Sequence, residues 1–115
     1  MTLMTLFERI AAGEIPADIV RNDEDVLAIR DINPQAPVHI LVIPQRVIPR
    51  IGQARDNDAA ILGKLLLAAR DIAKQEGLDE TGYRLVINHG PHAGESVPHL
   101  HIHLIGGRPL DWPPG

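Results

Sequence analysis

The sequence has no cysteine. That excludes a disulfide scaffold, a thiolate metal site and a cysteine nucleophile together. A reducing compartment suits such a chain, and a cytoplasmic protein is expected. Aromatic residues are scarce: Phe7, Tyr83 and Trp112 make up 3% of the 115 residues. No run of Lys or Arg occurs, and 11 basic against 15 acidic residues give a net charge of −4. A nucleic-acid surface needs a basic stripe to release counterions, so no nucleic-acid partner is expected. Long apolar runs are missing too. The longest, Leu65–Ala69, is far shorter than the ~18 residues a membrane helix requires. The start, MTLMTLFERI, has no basic leader ahead of an apolar stretch, so neither a secretory signal nor a membrane partner is expected. The 10 glycines and 10 prolines are scattered without a period, which excludes collagen-like, mucin-like and linker readings.

What is present suffices for a core, since 44% of residues are hydrophobic. No repeat or composition break interrupts the chain. A single domain over 1–115 is expected, with 1–5 a loose N-terminus and 106–115 a C-terminal tail. Leu6, Phe7 and Ile10 share one face of a short helix over 6–12, stopped by Gly13. Branched residues predict strands over 19–21, 26–32, 38–43, 83–88 and 99–105. Asn33-Pro34-Gln35-Ala36-Pro37 is a turn, because two prolines fix φ and remove donors. Residues 44–56 read as a loop. A long amphipathic helix spans 57–76. Asp56, Asn57 and Asp58 favour its positive end, Ile61, Leu65, Ala69 and Ile72 line its apolar face, and Gly77 stops it. This order predicts an α+β fold, with the long helix covering one face of an antiparallel sheet and the other face left for a site.

Six histidines occur, and five fall between His89 and His103. In His99-Leu100-His101-Ile102-His103-Leu104, strand alternation puts three imidazoles on one face and three aliphatic side chains on the other. Such a face could be merely solvated, although solvated strands usually carry Lys, Glu and Thr. It could chelate a metal, with His39 or His92 completing the shell. It could also perform phosphorus chemistry, with one imidazole as nucleophile and its neighbours as donors. The flanking loop, Asn88 to Pro98, contains Gly90 and Gly94, which permit close backbone approach to an anion. It holds no P-loop pattern, and Ser96 has no Gly-x-Ser-x-Gly surroundings.

The stretch His99–Ile105 matches the pattern His-φ-His-φ-His-φ-φ. Together with Phe7–Pro16 (FERIAAGEIP), Asp31–Pro44 (DINPQAPVHILVIP), Gly82–Asn88 (GYRLVIN), Gly94–Val97 (GESV) and Gly106–Gly115 (GGRPLDWPPG), it makes the chain resemble the Hint branch of the histidine-triad (HIT) family from about residue 6 to its end. The resemblance implies a five-stranded antiparallel sheet with one long and one short helix, and a homodimer whose sheets join into ten strands. It implies a nucleoside phosphoramidase acting on AMP or GMP joined to an amine, with no cofactor and no metal. His101 would be the nucleophile, His103 a phosphoryl donor, and His99 and His39 would orient the ladder. Asn88, Gly94, Glu95, Ser96 and Val97 would hold phosphate and leaving group. Asp31 would accept from the ribose, and Phe7, Ile10, Ile29, Ile32 and Leu41 would wall the base. Trp112 would reach the partner subunit.

Read alone, Asp31 and Asn88 are also ordinary turn residues, His39 an ordinary core histidine, and Ile32 and Leu41 core under either reading. His89 and His92 are expected to be solvated. Three residues depart from the family pattern. Ala93 replaces a common glycine, Pro98 replaces a common aromatic, and Glu95 stands where glutamine is usual. A carboxylate aimed at phosphate would repel it, so Glu95 either turns away or shifts leaving-group preference. Two rival functions remain: dinucleoside polyphosphate hydrolysis, for which Arg108 is the only nearby cation in sequence, and a purine-nucleotide-binding regulatory module.

Overall fold

A computed structural model describes residues 4–115. Helix α1 (Leu6–Ala11) precedes strands β1 (Ile19–Asn22), β2 (Val26–Arg30) and β3 (Val38–Pro44). Helix α2 (Ala59–Gln75) and strands β4 (Tyr83–Val86) and β5 (Ile102–Gly106) follow, with short 3-10 turns at Ile51–Gln53, Asp56–Asp58 and Pro91–Ala93. The strands form one sheet in the order β1-β2-β3-β5-β4, and every neighbouring pair is antiparallel. The expected α+β class, strand count and helix pair are all present.

Alternation sorts the strands onto two faces. Val26, Ala28, Ile40, Val42, Ile102 and Leu104 pack against Leu65, Ala69, Ile72 and Ala73 of α2. The small side chains of Ala68, Ala69 and Ala73 let the helix sit close to the sheet, and each is buried. At its C-terminus Gly77 adopts φ +75°, and the Leu78 N–H reaches back to the Ala73 carbonyl at 2.9 Å. That closure seats Leu78 in the core, as a glycine-terminated helix end requires. At the other end Asp58 is buried and accepts from the Arg55 N–H at 2.8 Å and from the Arg46 guanidinium. These donors hold its carboxyl below the usual carboxylate range, the Arg55 N–H contributing most.

The second face carries Leu27, Ile29, Leu41 and Ile43, covered by Phe7 and Ile10 of α1. The face expected to be free is thus half-roofed, and its open remainder borders the histidines. Residues 1–5 were expected to be loose. Residues 1–3 lie outside the described residues, whereas Thr5 caps α1 in a reciprocal box: its hydroxyl accepts from Glu8 N–H at 3.1 Å and its own N–H donates to Glu8 Oε1 at 2.9 Å.

Strand β5 starts three residues later than expected. Its Ile102 pairs with Val42, so an earlier start would pair it with the end of β3 at Pro44, which has no N–H to give. Instead Leu100 N–H turns to the Ile48 carbonyl at 2.6 Å, and the Pro44 carbonyl is taken by the His99 ring. The alternation persists through this extended lead-in. Leu100, Ile102 and Leu104 all enter the core beneath α2.

Candidate active site

His99, His101 and His103 line the second face beside Phe7. The Phe7 ring stands edge-on to His99 and His101 at centroid distances of 5.6 and 5.1 Å, and His101 lies 5.0 Å from His103. His39, on the adjacent strand, is 5.2 Å from His103. His39, His103 and His101 form a chain of neighbouring rings, and Phe7 links it to His99.

Fixed hydrogen-bond partners decide which nitrogen of each ring carries the proton. The His99 Nε2 meets the Pro44 carbonyl at 2.7 Å, and a carbonyl only accepts, so Nε2 bears the hydrogen. Its Nδ1 then accepts from the Thr5 hydroxyl at 2.7 Å. His101 Nδ1 lies 2.8 Å from the His99 carbonyl and must donate to it. In the neutral ring this leaves Nε2 with a free lone pair. The order reverses on the next strand. Gln35 N–H donates to His39 Nδ1 at 3.0 Å, so His39 Nε2 carries the hydrogen and donates to His103 Nδ1 at 2.9 Å. His103 Nε2 therefore carries a hydrogen. Side by side stand one imidazole with a bare nitrogen and one with an N–H.

Burial favours the neutral form of His103 and His99. It pushes His103 down to about 4, helped by neighbouring His101 and His39, and it lowers His99 as well. Asp31 lies beyond His39, with Oδ2 3.4 Å from His39 Nε2 and Oδ1 accepting from Asn33 N–H at 2.8 Å. Asp31 thus caps the turn and also borders the histidine cluster. Asp31, His39 and His103 offer ligand atoms within 4.8 Å of one another. The two histidine nitrogens in that group face each other across a hydrogen bond. A cation would have to part them, since zinc holds each nitrogen at about 2.0–2.1 Å in tetrahedral array. The group fits a hydrogen-bond relay better than a metal shell.

The structure brings Phe7, Ile10, Ile29 and Leu41 into one apolar cluster with Val97 packed on it. Ile32 is the exception. Expected as core, it is 97% exposed, because β2 ends at Arg30 and the chain bends away before the Asn33–Pro37 turn. Gly94 adopts φ +79° in the loop that leads to His99, and Ser96 is exposed. Glu95 is paired with Arg50, which holds its carboxyl down to about 2. Arg108 donates to the Gln35 carbonyl at 3.0 and 3.2 Å. Trp112 is 83% exposed on the isolated chain, and the tail before it is tied by Arg84 to the Asp111 carbonyl at 2.8 Å. His92 is solvated as expected. His89 is exposed but accepts from Gly52 N–H at 3.1 Å.

Thr5 and Arg50 were not singled out beforehand. The Thr5-x-x-Glu8 spacing is a capping signature that could have flagged the first. Nothing local flags Arg50, which meets Glu95 from 45 positions away.

Known proteins resemble this chain in sequence and fold. The HIT domain family profile matches residues 12–110. The purine nucleoside phosphoramidase of Escherichia coli (strain K12) is 49% identical over 106 residues, covering 92% of this chain and 89% of that protein. Adenylylsulfatase HINT1 of Arabidopsis thaliana is 51% identical over 113 residues, covering 96% of this chain and 76% of that protein. Among solved structures, a HIT family hydrolase from Legionella pneumophila Philadelphia 1 superposes with a TM-score of 0.95 at 49% identity, covering 97% of this chain and all of the other.

Proposed function

The chain belongs to the HIT domain family, and on that premise we propose that it is a nucleoside phosphoramidase that cleaves the P–N bond of AMP– or GMP–amine conjugates through a nucleotidyl-His101 intermediate. The observation that carries this reading is the opposed tautomers of His101 and His103.

His101 Nε2 attacks the α-phosphorus in line, and the P–N bond breaks as the N–P bond forms. The amine leaves with its electron pair and takes up a proton from solvent, because an unprotonated amide ion is too poor a leaving group. The His103 Nε2–H donates to the phosphoryl oxygen, where negative charge builds. The His101 Nδ1–H stays on the His99 carbonyl, which stabilises the imidazolium-like ring of the adduct. Water then attacks phosphorus and gives up a proton to solvent, His101 departs as a neutral imidazole, and AMP or GMP is released. Asn88, the Gly94–Val97 backbone and Ser96 border the phosphate and leaving group. Asp31 accepts from the ribose hydroxyls, and Phe7, Ile10, Ile29 and Leu41 back the base, with exposed Ile32 at its outer rim.

The active form is a homodimer in which β4 edges pair into a ten-stranded sheet. Two features support it. The β4 edge has no strand beyond it among the described residues, and Leu66 and Ile87, half-exposed, line an apolar groove beside it. Pairing there also offers exposed Trp112 a partner surface.

Mass spectrometry of protein quenched during turnover of an adenosine phosphoramidate tests the reaction. One AMP on His101, absent in His101→Ala, is expected. Full activity of His101→Ala refutes it.

A further inference from the structure

Glu95 is the only acidic residue between Asn88 and Pro98. A carboxylate there sits poorly with a substrate phosphate, and its surroundings show how the conflict is met. Arg50 grips it in a fork: Nε lies 2.9 and 3.2 Å from the two carboxylate oxygens and Nη2 lies 2.9 Å from Oε2. Gly90 N–H adds a contact to Oε1 at 3.2 Å. The Glu95 side chain is only 13% exposed, and Arg50 Nη1 is taken by Gln53 at 3.0 Å. The guanidinium is therefore occupied by protein on all three nitrogens and is a fixed counter-charge.

A second tie binds the same two segments. The Gly52 N–H donates to His89 Nδ1 at 3.1 Å, and a Cβ on Gly52 would stand 2.3 Å from His89 Cε1. The His89 ring thus lies directly on the backbone of the 51–53 turn. The loop is fastened to that turn at His89 and at Glu95. From there it runs to the site, where Val97 packs on the Phe7 cluster and its carbonyl accepts the His99 N–H at 2.8 Å.

We propose that Arg50, acting through Glu95, is a positioning residue for the reaction: the ion pair holds the 90–97 backbone beside His101 and cancels the one negative charge in that loop. The proposal rests on the phosphoryl-transfer reading above. It makes Glu95 compatible with an anionic substrate without making it a leaving-group contact.

Kinetics with adenosine 5′-phosphoramidate and calorimetric AMP binding test it in Arg50→Gln, Arg50→Lys and the double variant Arg50→Gln/Glu95→Gln. Arg50→Gln leaves a lone carboxylate. It is expected to raise KM and the AMP Kd roughly tenfold while kcat changes less than about threefold. The double variant removes both charges and keeps an amide pair, so KM and Kd return to within about threefold of wild type. A KM and Kd for Arg50→Gln equal to wild type overturn the proposal, as does a double variant no better than the single. If Arg50→Gln does not fold, Arg50→Lys carries the test. It keeps the charge but not the fork, and wild-type constants in it overturn the proposal. Wild-type protein that binds AMP without turning over the phosphoramidate refutes the reaction assigned above, and the AMP affinities then still decide the role of Arg50.

Discussion

Thr5→Val removes one hydroxyl and leaves side-chain shape almost unchanged, so it opens no cavity. The hydroxyl does two things. It caps α1 by accepting from Glu8 N–H, and it donates to His99 Nδ1, on a ring only 1% exposed. Losing an N-cap costs about 1 kcal/mol. Leaving a buried acceptor without its donor costs about 1–3 kcal/mol more. The sum is about 2–4 kcal/mol, or a fall in Tm of roughly 8–16 °C for a chain of this length. His99 cannot recover by moving its proton, because the Pro44 carbonyl needs Nε2–H. Calorimetry at fixed protein concentration reads the effect, with Thr5→Ser as control. Serine keeps the hydroxyl and is expected within about 0.5 kcal/mol of wild type, since it caps helices as well as threonine does. A Thr5→Val protein that melts within about 2 °C of wild type, on the same scaling, refutes the reasoning. The hydroxyl would then not be the donor that fixes His99.

His103→Ala removes the N–H beside His101 and, under the proposed mechanism, is expected to lower kcat by about a hundredfold, the scale of losing one donor to a developing oxyanion; single-turnover rates check it, and an unchanged rate removes His103 from the chemistry. Acid stability follows from the depressed histidines. A His103 held down to about 4 from 6.5 stabilises the fold fully above pH 6.5, and that contribution is lost as pH falls through this range, because the unfolded chain binds the proton first. Glu95, lowered from 4.5 to about 2, adds a second loss below pH 4.5. Urea midpoints should therefore decline in two stages on acidification, and a midpoint that stays flat from pH 6.5 to pH 4 contradicts the assigned neutral state.

The elements whose periodicity is set by burial were legible in the chain. Helix α2 showed its apolar stripe, and the alternation of His99–Leu104 placed imidazoles and aliphatics on opposite faces before any fold was known. Boundaries set by a neighbouring strand were not legible. The start of β5 depends on where β3 stops offering partners, and β3 ends at a proline. Ile32 misled because hydropathy predicts core only where the chain stays in the sheet, and the sheet ends two residues earlier. The conflict posed by Glu95 was visible, but its resolution was not, since Arg50 meets it through the docking of two loops.

By itself, then, the sequence determined the chemistry available: imidazoles in alternation, glycines in the loop before them, no thiol and no basic surface. Only the tertiary structure decided which nitrogen of each imidazole is bare and which is protonated. A ring's tautomer follows the group that its other nitrogen meets. Here those groups include Pro44, 55 positions from His99, Thr5, 94 positions away, and His39, 64 positions from His103. Folding alone brings partners so distant in the chain within hydrogen-bond reach, and with them it sets different tautomers on chemically identical side chains.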